Sequence, residues 1–180
     1  MSFKVSAENA LLGILMTGPK YGYELHGYVS AQMNQFWDLS MSQVYALLKR
    51  LENDGVVVSQ EKWQERRPAK KIFTLTPSGR ERFLQWVNSP VEHVRDMRIE
   101  FTAKLFFVRE LRLTIGLALI DKQIDVLKEK LQAIESSKHE ITDAFQTLLY
   151  SFKASQTTAA LDWLRECKAC FSENEKITSG

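Results

Sequence analysis

Apolar residues along this chain repeat with two different periods, and the switches between them delimit its elements. In residues 7–16 (AENALLGILM), Ala7, Leu11, Ile14 and Leu15 fall on one helical face, with Ser6 as the expected N-cap and Thr17-Gly18-Pro19 as the stop. A second helix is predicted from Lys20 to Met33. Tyr21, Leu25, Tyr28 and Val29 keep its period, while Gly22 and Gly27 weaken it, and Gly22 leaves room for a close approach of this helix to another helix or to DNA. Trp37 is expected as a core plug beneath the next junction. Residues 39–55 then give the best-defined helix of the first half. Val44, Leu47, Leu48 and Leu51 stand at i, i+3, i+4 and i+7, Ser40 or Ser42 can cap the start, and Gly55 follows where a left-handed C-cap is wanted.

After Gly55 the period shortens. Val56–Gln60 is β-branched, and Lys70–Thr76 (KKIFTLT) alternates, so both are predicted as strands around a basic segment that contains Pro68. Thr76 as N-cap and Pro77 at the first helical position open another helix, which turns Phe83, Trp86 and Val87 inward. The predicted order is helix, helix, helix, strand, strand, helix. That is a winged helix-turn-helix, with the third helix as its reading element and the hairpin as its wing.

Asn88–Val91 breaks the pattern. A domain covering 1–90 and a linker at 91–97 are expected, followed by an all-helical domain over 98–180. Arg98–Leu113 is predicted as a strongly apolar helix. Beyond Gly116, steps of three and four run through Leu117, Ile120, Ile124, Leu127, Leu131, Ile134, Ile141, Phe145, Leu148 and Phe152, with Lys138 interrupting the seam. A heptad seam of this length is a coiled-coil pattern. As one helix from Leu117 to Lys153 it would span roughly 55 Å and would need a partner helix, so these residues are the expected dimerisation surface. A last helix, capped by Thr157 or Thr158 and carrying Ala160, Trp163, Leu164, Cys167 and Phe171, is expected to fold back on the long one. The fold class is therefore mainly α with a small β-hairpin.

The 180 residues are 44% hydrophobic and 26% charged, as in an ordinary globular protein, and no apolar run reaches the ~18 residues of a membrane span. With no signal-peptide pattern and two cysteines, a reducing cytoplasm is expected, with no membrane partner. The net charge of +2 is uneven: residues 1–90 carry 11 Lys/Arg and 8 Asp/Glu, and residues 91–180 carry 13 and 14. Five cations fall within residues 62–71: Lys62, Arg66, Arg67, Lys70 and Lys71. Basic charge concentrated on the predicted wing is the distribution of a phosphate-contacting module.

The stretches ALLGIL, YGYELH, LSMSQVYALLKRLENDGVV and RPAKKIFTLTPSGRERFLQWV resemble the PadR-like bacterial transcriptional regulators, in the same order and at similar spacing. Residues 5–90 carry the resemblance, through Tyr45, Leu48, Leu51, Gly55, Leu75, Thr76 and Gly79 above all. The family often has Pro-Gly where this chain has Met41-Ser42. The segment from Glu100 onward resembles, in layout, the helical dimerisation domain of the family's larger members. The resemblance implies a homodimeric repressor or activator that binds a palindromic double-stranded DNA operator. It also implies, as an alternative, release from DNA by a small aromatic or phenolic effector.

Expected DNA contacts are Tyr21, Ser42, Gln43, Tyr45, Lys49, Arg50, Arg66, Arg67, Lys70 and Lys71. Ser42, Gln43 and Tyr45 are placed at the groove edge, and the cations at phosphates. Phe101, Phe106 and Trp163 are effector-site candidates, with Phe107, Phe145 and Phe152 beside them, against the plainer reading that they are core. A winged helix that acts mainly through protein partners is a further alternative.

Cys167-Lys-Ala-Cys170 is a CxxC without a second ligand pair in sequence, since His26, His93 and His139 are scattered. Its expected place near a helix C-terminus is the wrong end for a low-pKa redox thiol. No metal or cofactor is expected, and no nucleotide loop, nucleophile elbow or metalloprotease motif points to an enzyme.

Overall fold

The computed structural model describes residues 3–64, 67–138 and 141–178, with side chains at 6–61, 70–138 and 141–173. It divides into two compact units, Met1–Val87 and Asn88–Gly180. The first opens with helix α1 (Phe3–Leu15), which buries Ala7, Leu11, Ile14 and Leu15 as their spacing predicts. The chain is already helical upstream of Ser6, so Ser6 lies buried inside α1 and is not its cap.

Lys20–Tyr21 is not the start of a helix. It forms a two-residue strand, β1, antiparallel to Ile72–Phe73, and helix α2 (Gly22–Gln32) begins only after it. Tyr21 is extended (φ −73°, ψ 154°), and its backbone N–H donates to the Glu24 carboxylate at 2.7 Å, which closes the start of α2. Trp37, 2% exposed, fills the core under the passage to helix α3 (Met41–Asn53). The buried face of α3 is Val44, Leu47, Leu48 and Leu51, the predicted stripe.

At its C-terminus α3 ends in a Schellman turn. Val56 N donates to Leu51 O (3.1 Å) and Gly55 N to Glu52 O (3.0 Å), with Gly55 at φ +70°, a conformation that favours glycine. Strands β2 (Val57–Gln64) and β3 (Arg67–Leu75) follow, and the sheet order is β1-β3-β2. The hairpin is longer than expected. Much of the basic segment lies in strand, with a register shift between Lys62 and Gln64. Helix α4 (Pro77–Val87) is capped by Thr76, whose Oγ1 accepts from Gly79 N at 3.1 Å. The Thr76 and Ser78 hydroxyls both donate to the Gly55 carbonyl, at 3.0 and 3.2 Å, so the end of α3 and the start of α4 are tied together.

In the second unit, Ser89 and Val91 are held by side chains of the helical domain. Lys104 Nζ donates to Ser89 O (2.8 Å), and the buried Gln123 amide donates to Val91 O (3.0 Å) and accepts from Val91 N (2.7 Å). These bonds tie residues 89 and 91 to the helices of this unit. A short helix, α5 (Val94–Asp96), runs through a π-helical turn at Met97–Phe101 into α6 (Thr102–Glu110), in place of one helix over 98–113. Glu100 and Lys104 form a buried ion pair at 3.1 Å. Burial lowers the Lys104 pKa, and the adjacent Glu100 carboxylate opposes that shift.

The expected single heptad helix is two helices, α7 (Gly116–Lys138) and α8 (Ala144–Thr178), packed against each other. The heptad period runs on across the break, but Asp143 starts a new helix there. Its carboxylate accepts from Gln146 N at 2.7 Å, and its carbonyl accepts from Thr147 N at 3.0 Å. Thr157 likewise caps nothing. It sits within α8 and donates its hydroxyl to Lys153 O (2.8 Å), so the separate terminal helix over 157–171 is part of α8. Ile120 and Leu127 are buried within the unit, and Leu117, Ile124, Leu131, Ile134 and Ile141 are half-buried. Phe145 and Leu148 are each 67% exposed.

A Cβ on Gly79 would stand 2.0 Å from the Val56 carbonyl oxygen, which is backbone and cannot step aside. Gly79→Ala is therefore expected to lower unfolding free energy by about 1–3 kcal/mol, as overpacking does. Urea denaturation of the full chain, with an unchanged midpoint as the contrary result, checks this.

Candidate nucleic-acid interface

The start of α3 is organised by a reciprocal cap. Ser40 Oγ accepts from Gln43 N (3.3 Å), and Ser40 N donates to Gln43 Oε1 (2.8 Å). Ser40 Oγ also lies 3.0 Å from Gln43 Oε1 and 3.0 Å from Ser42 Oγ. Of the two predicted caps, Ser40 holds the position. Met41, Ser42, Gln43 and Tyr45 are all exposed around this first turn and a half. The positive end of the helix dipole and a set of short polar groups thus share one open surface.

Beside it stands a cluster that brings five elements together, β1, α2, α3, β2 and β3. Tyr21 and Tyr23 stack nearly parallel (centroids 5.6 Å, 12°), and Lys70 Nζ lies 5.8 Å from the first ring and 5.1 Å from the second. Tyr45 from α3 packs edge-on to Phe73 (6.3 Å). With Glu61 and Lys71, the three tyrosines and Lys70 line a cavity of about 300 Å³. Tyr45 reaches this place because Gly22 has no side chain: a Cβ there would be 2.5 Å from the Tyr45 ring. The close approach expected at Gly22 is thus one of helix to helix. Phenol hydroxyls and ammonium groups around a small open cavity can hold an anionic oxygen, with Glu61 offsetting part of the positive charge.

The predicted contacts do not all belong to this surface in the same way. Tyr21, Tyr45, Lys70 and Lys71 are brought together, and Ser42 and Gln43 lie at the adjoining helix start. Lys49 is exposed further along α3. Arg50 is engaged elsewhere, in an ion pair with the nearly buried Glu8 at 3.3 Å. Glu8 also receives Arg82 (2.9 Å), which reaches Asp54 as well (3.1 Å), so these charges fasten α3 to α1 and α4. Arg66 and the Arg67 side chain lie outside the described residues. Tyr23 and Glu61 are additions that helical periodicity could not mark. The YGY repeat carries the only signal for Tyr23, and it is read only once Tyr21 is known to be strand.

The sequence profile of the "Transcriptional regulator PadR-like family" matches residues 11–85, which contain α2, α3, the sheet and most of α4. Over that stretch, the chain is similar to the PadR-like family of transcriptional regulators. A second profile, "Virulence activator alpha C-term", matches residues 97–171. The negative transcriptional regulator PadR of Bacillus subtilis is 29% identical over 145 residues, covering 79% of this chain and 78% of that protein. Two solved structures are also similar. Bacillus subtilis PadR in complex with operator DNA is 25% identical, with 91% of this chain and 98% of that chain covered and a TM-score of 0.47. The same protein in complex with p-coumaric acid is 24% identical, with 96% and 98% covered and a TM-score of 0.41. The family consists of DNA-binding regulators and not enzymes.

The three effector candidates differ in environment. Phe101 is fully buried and meets Trp163 edge-on (6.3 Å), whereas Phe106 is half-buried, packed against Phe107 (5.3 Å) and Arg109 (5.9 Å). No group of three or more His, Cys, Asp or Glu that could hold a metal occurs among the described residues, and no described helix is long and apolar enough to cross a membrane.

Cys167, half-buried, and Cys170, exposed, lie one turn apart on α8. Burial, followed by the neighbouring Cys170 and Glu166, pushes the Cys167 thiol up to about 11. Only about 0.1% of it would be thiolate at pH 8, so alkylation should modify the exposed Cys170 well before Cys167. Peptide mapping after timed iodoacetamide treatment reads the order, and equal rates would contradict it.

Proposed function

We propose that this protein is a homodimeric transcriptional repressor that reads a palindromic operator through α3 and the β2–β3 wing. The observation that carries this reading is the single surface formed by the exposed start of α3 and the Tyr21–Tyr23–Tyr45–Lys70–Lys71 cluster beside it. A helix fits the width of a major groove, and its N-terminal residues are the ones that reach base edges. Ser42 and Gln43 take that role. Lys49, Lys70 and Lys71, with the tyrosine hydroxyls, hold phosphates, and Arg66 and Arg67 extend the contact along the wing. Arg50 serves mainly to hold α3 through Glu8. The repressor sign follows the name of the Bacillus subtilis relative.

Lys49 and Lys71 are exposed. Removing either should weaken binding to all sequences alike and reduce the salt dependence of log K by about 0.9 per lost phosphate contact. The measurement is fluorescence anisotropy across a salt series, on an operator obtained by selection from randomised duplexes. Failure of the full chain to bind any duplex would instead favour a winged helix that acts through protein partners.

The dimer rests on α8. Phe145 and Leu148 (67% exposed), Leu149 (44%) and Phe152 (61%) stand at i, i+3, i+4 and i+7, an apolar stripe left uncovered within one chain. A second copy of the chain covers it, which also supplies the second half-site reader that specific operator affinity generally needs. Phe145→Glu combined with Leu148→Glu should convert dimer to monomer in sedimentation velocity and reduce operator affinity. A double variant that remains dimeric places the interface elsewhere. For the effector-released alternative, Phe106 and Trp163, both half-buried, are the open candidates, since Phe101 is core.

A further inference from the structure

We propose that Gln43 recognises only hydrogen-bond-accepting base edges, because its carbonyl oxygen is taken by the cap of its own helix. The inference rests on the reading of α3 as the base-contacting helix and names what that helix selects. Chemistry fixes the orientation of the carboxamide. The Ser40 backbone N–H can only donate, so the Gln43 side-chain atom 2.8 Å from it must be the oxygen. The same oxygen also lies 3.0 Å from Ser40 Oγ, and the Gln43 backbone N–H returns a bond to that hydroxyl at 3.3 Å. Nε2, on an exposed residue at the third helical position, keeps both its donors without a partner among the described residues.

A glutamine that reads adenine in the bidentate manner needs both ends of its amide. The oxygen accepts from N6 and the nitrogen donates to N7. Here the oxygen would have to leave Ser40, which would orphan a backbone N–H at the helix start. With the oxygen retained, Gln43 presents donors alone. In the major groove these match guanine O6 and N7 or thymine O4, and they are refused by the N4 amino group of cytosine. One side chain therefore closes the helix and sets the polarity of the edge it reads.

Gln43→Glu separates the two roles. A carboxylate still accepts from Ser40 N and Oγ, so the cap survives, but the donors are replaced by an acceptor. Selection from randomised duplexes should give, for the wild-type chain, a position in each half-site that prefers guanine or thymine. In Gln43→Glu that position should turn toward cytosine, with a relative change of roughly tenfold or more and an unchanged thermal midpoint. Anisotropy on matched duplexes completes the test. Replacing the preferred guanine by 7-deazaguanine, or thymine by a 4-thio analogue, should weaken wild-type binding and leave the variant unaffected. An unaltered preference at every position in Gln43→Glu overturns the proposal. So does a wild-type preference for adenine that is lost when purine, without the N6 amino group, replaces it. If the wild-type chain selects no sequence at all, the reading of α3 as base-contacting helix fails with it, which the other two outcomes leave intact.

Discussion

The first unit depends on a contact between two stretches of backbone. Gly79, at the start of α4, lies against the Val56 carbonyl so closely that a single added carbon would overlap it. On the other side of the same junction, the Thr76 and Ser78 hydroxyls hold the Gly55 carbonyl. The end of α3, the residue that leads into β2, the last of β3 and the start of α4 thus meet at one place. Helix and wing leave it in directions that side-chain motion cannot alter. Bonds between backbone groups and short side chains suit this position because they have little conformational freedom to lose.

The same end of α3 is also held by charge. Glu8 is nearly buried and accepts two guanidinium groups, and Arg82 also reaches Asp54, the C-cap of α3. Arg50 and Arg82 remain partly exposed, so screening limits what each pair contributes. Their effect is directional: they fix the rotation of α3 about its axis. Gln43, through the Ser40 cap, and Arg50, through Glu8, are two polar residues on what the periodicity marks as the outer face, and both are engaged in holding the helix that carries them. The exposed residues left for a partner are fewer and more sharply placed than a helical wheel suggests.

The second unit uses its apolar seam in a different way. Folding α8 back along α7 lets one chain supply both helices of the pair, with Lys168 meeting Asp121 across them (2.5 Å) and Phe171 packed where Gly116 has no side chain. The apolar residues near the start of α8 are left over. Buried polar groups do the joining at the other end, where Lys104 and Gln123 take the backbone of residues 89 and 91. Such groups are favourable only when fully partnered, which ties the position of this segment to the integrity of the helical unit.

Elements whose signals are local could be read from the sequence. The α3 stripe of Val44, Leu47, Leu48 and Leu51, the Gly55 turn, the Thr76-Pro77 start of α4 and the concentration of cations on the wing all follow from residues within one or two turns of each other. The aromatic and cationic residues that line the candidate site were legible as residue types, through Tyr21, Tyr45, Lys70 and Lys71. Only the tertiary structure joined them to Tyr23 and Glu61. Tertiary structure alone also decided β1, because a two-residue strand has no period and exists only through its pairing with β3. It decided that the heptad seam folds on itself, since that period is the same whether the partner helix comes from another chain or from the next turn of this one. And it decided which polar groups face outward, because a free amide and one closing a helix are the same letter in the sequence. What separates them is the neighbour that takes the hydrogen bond.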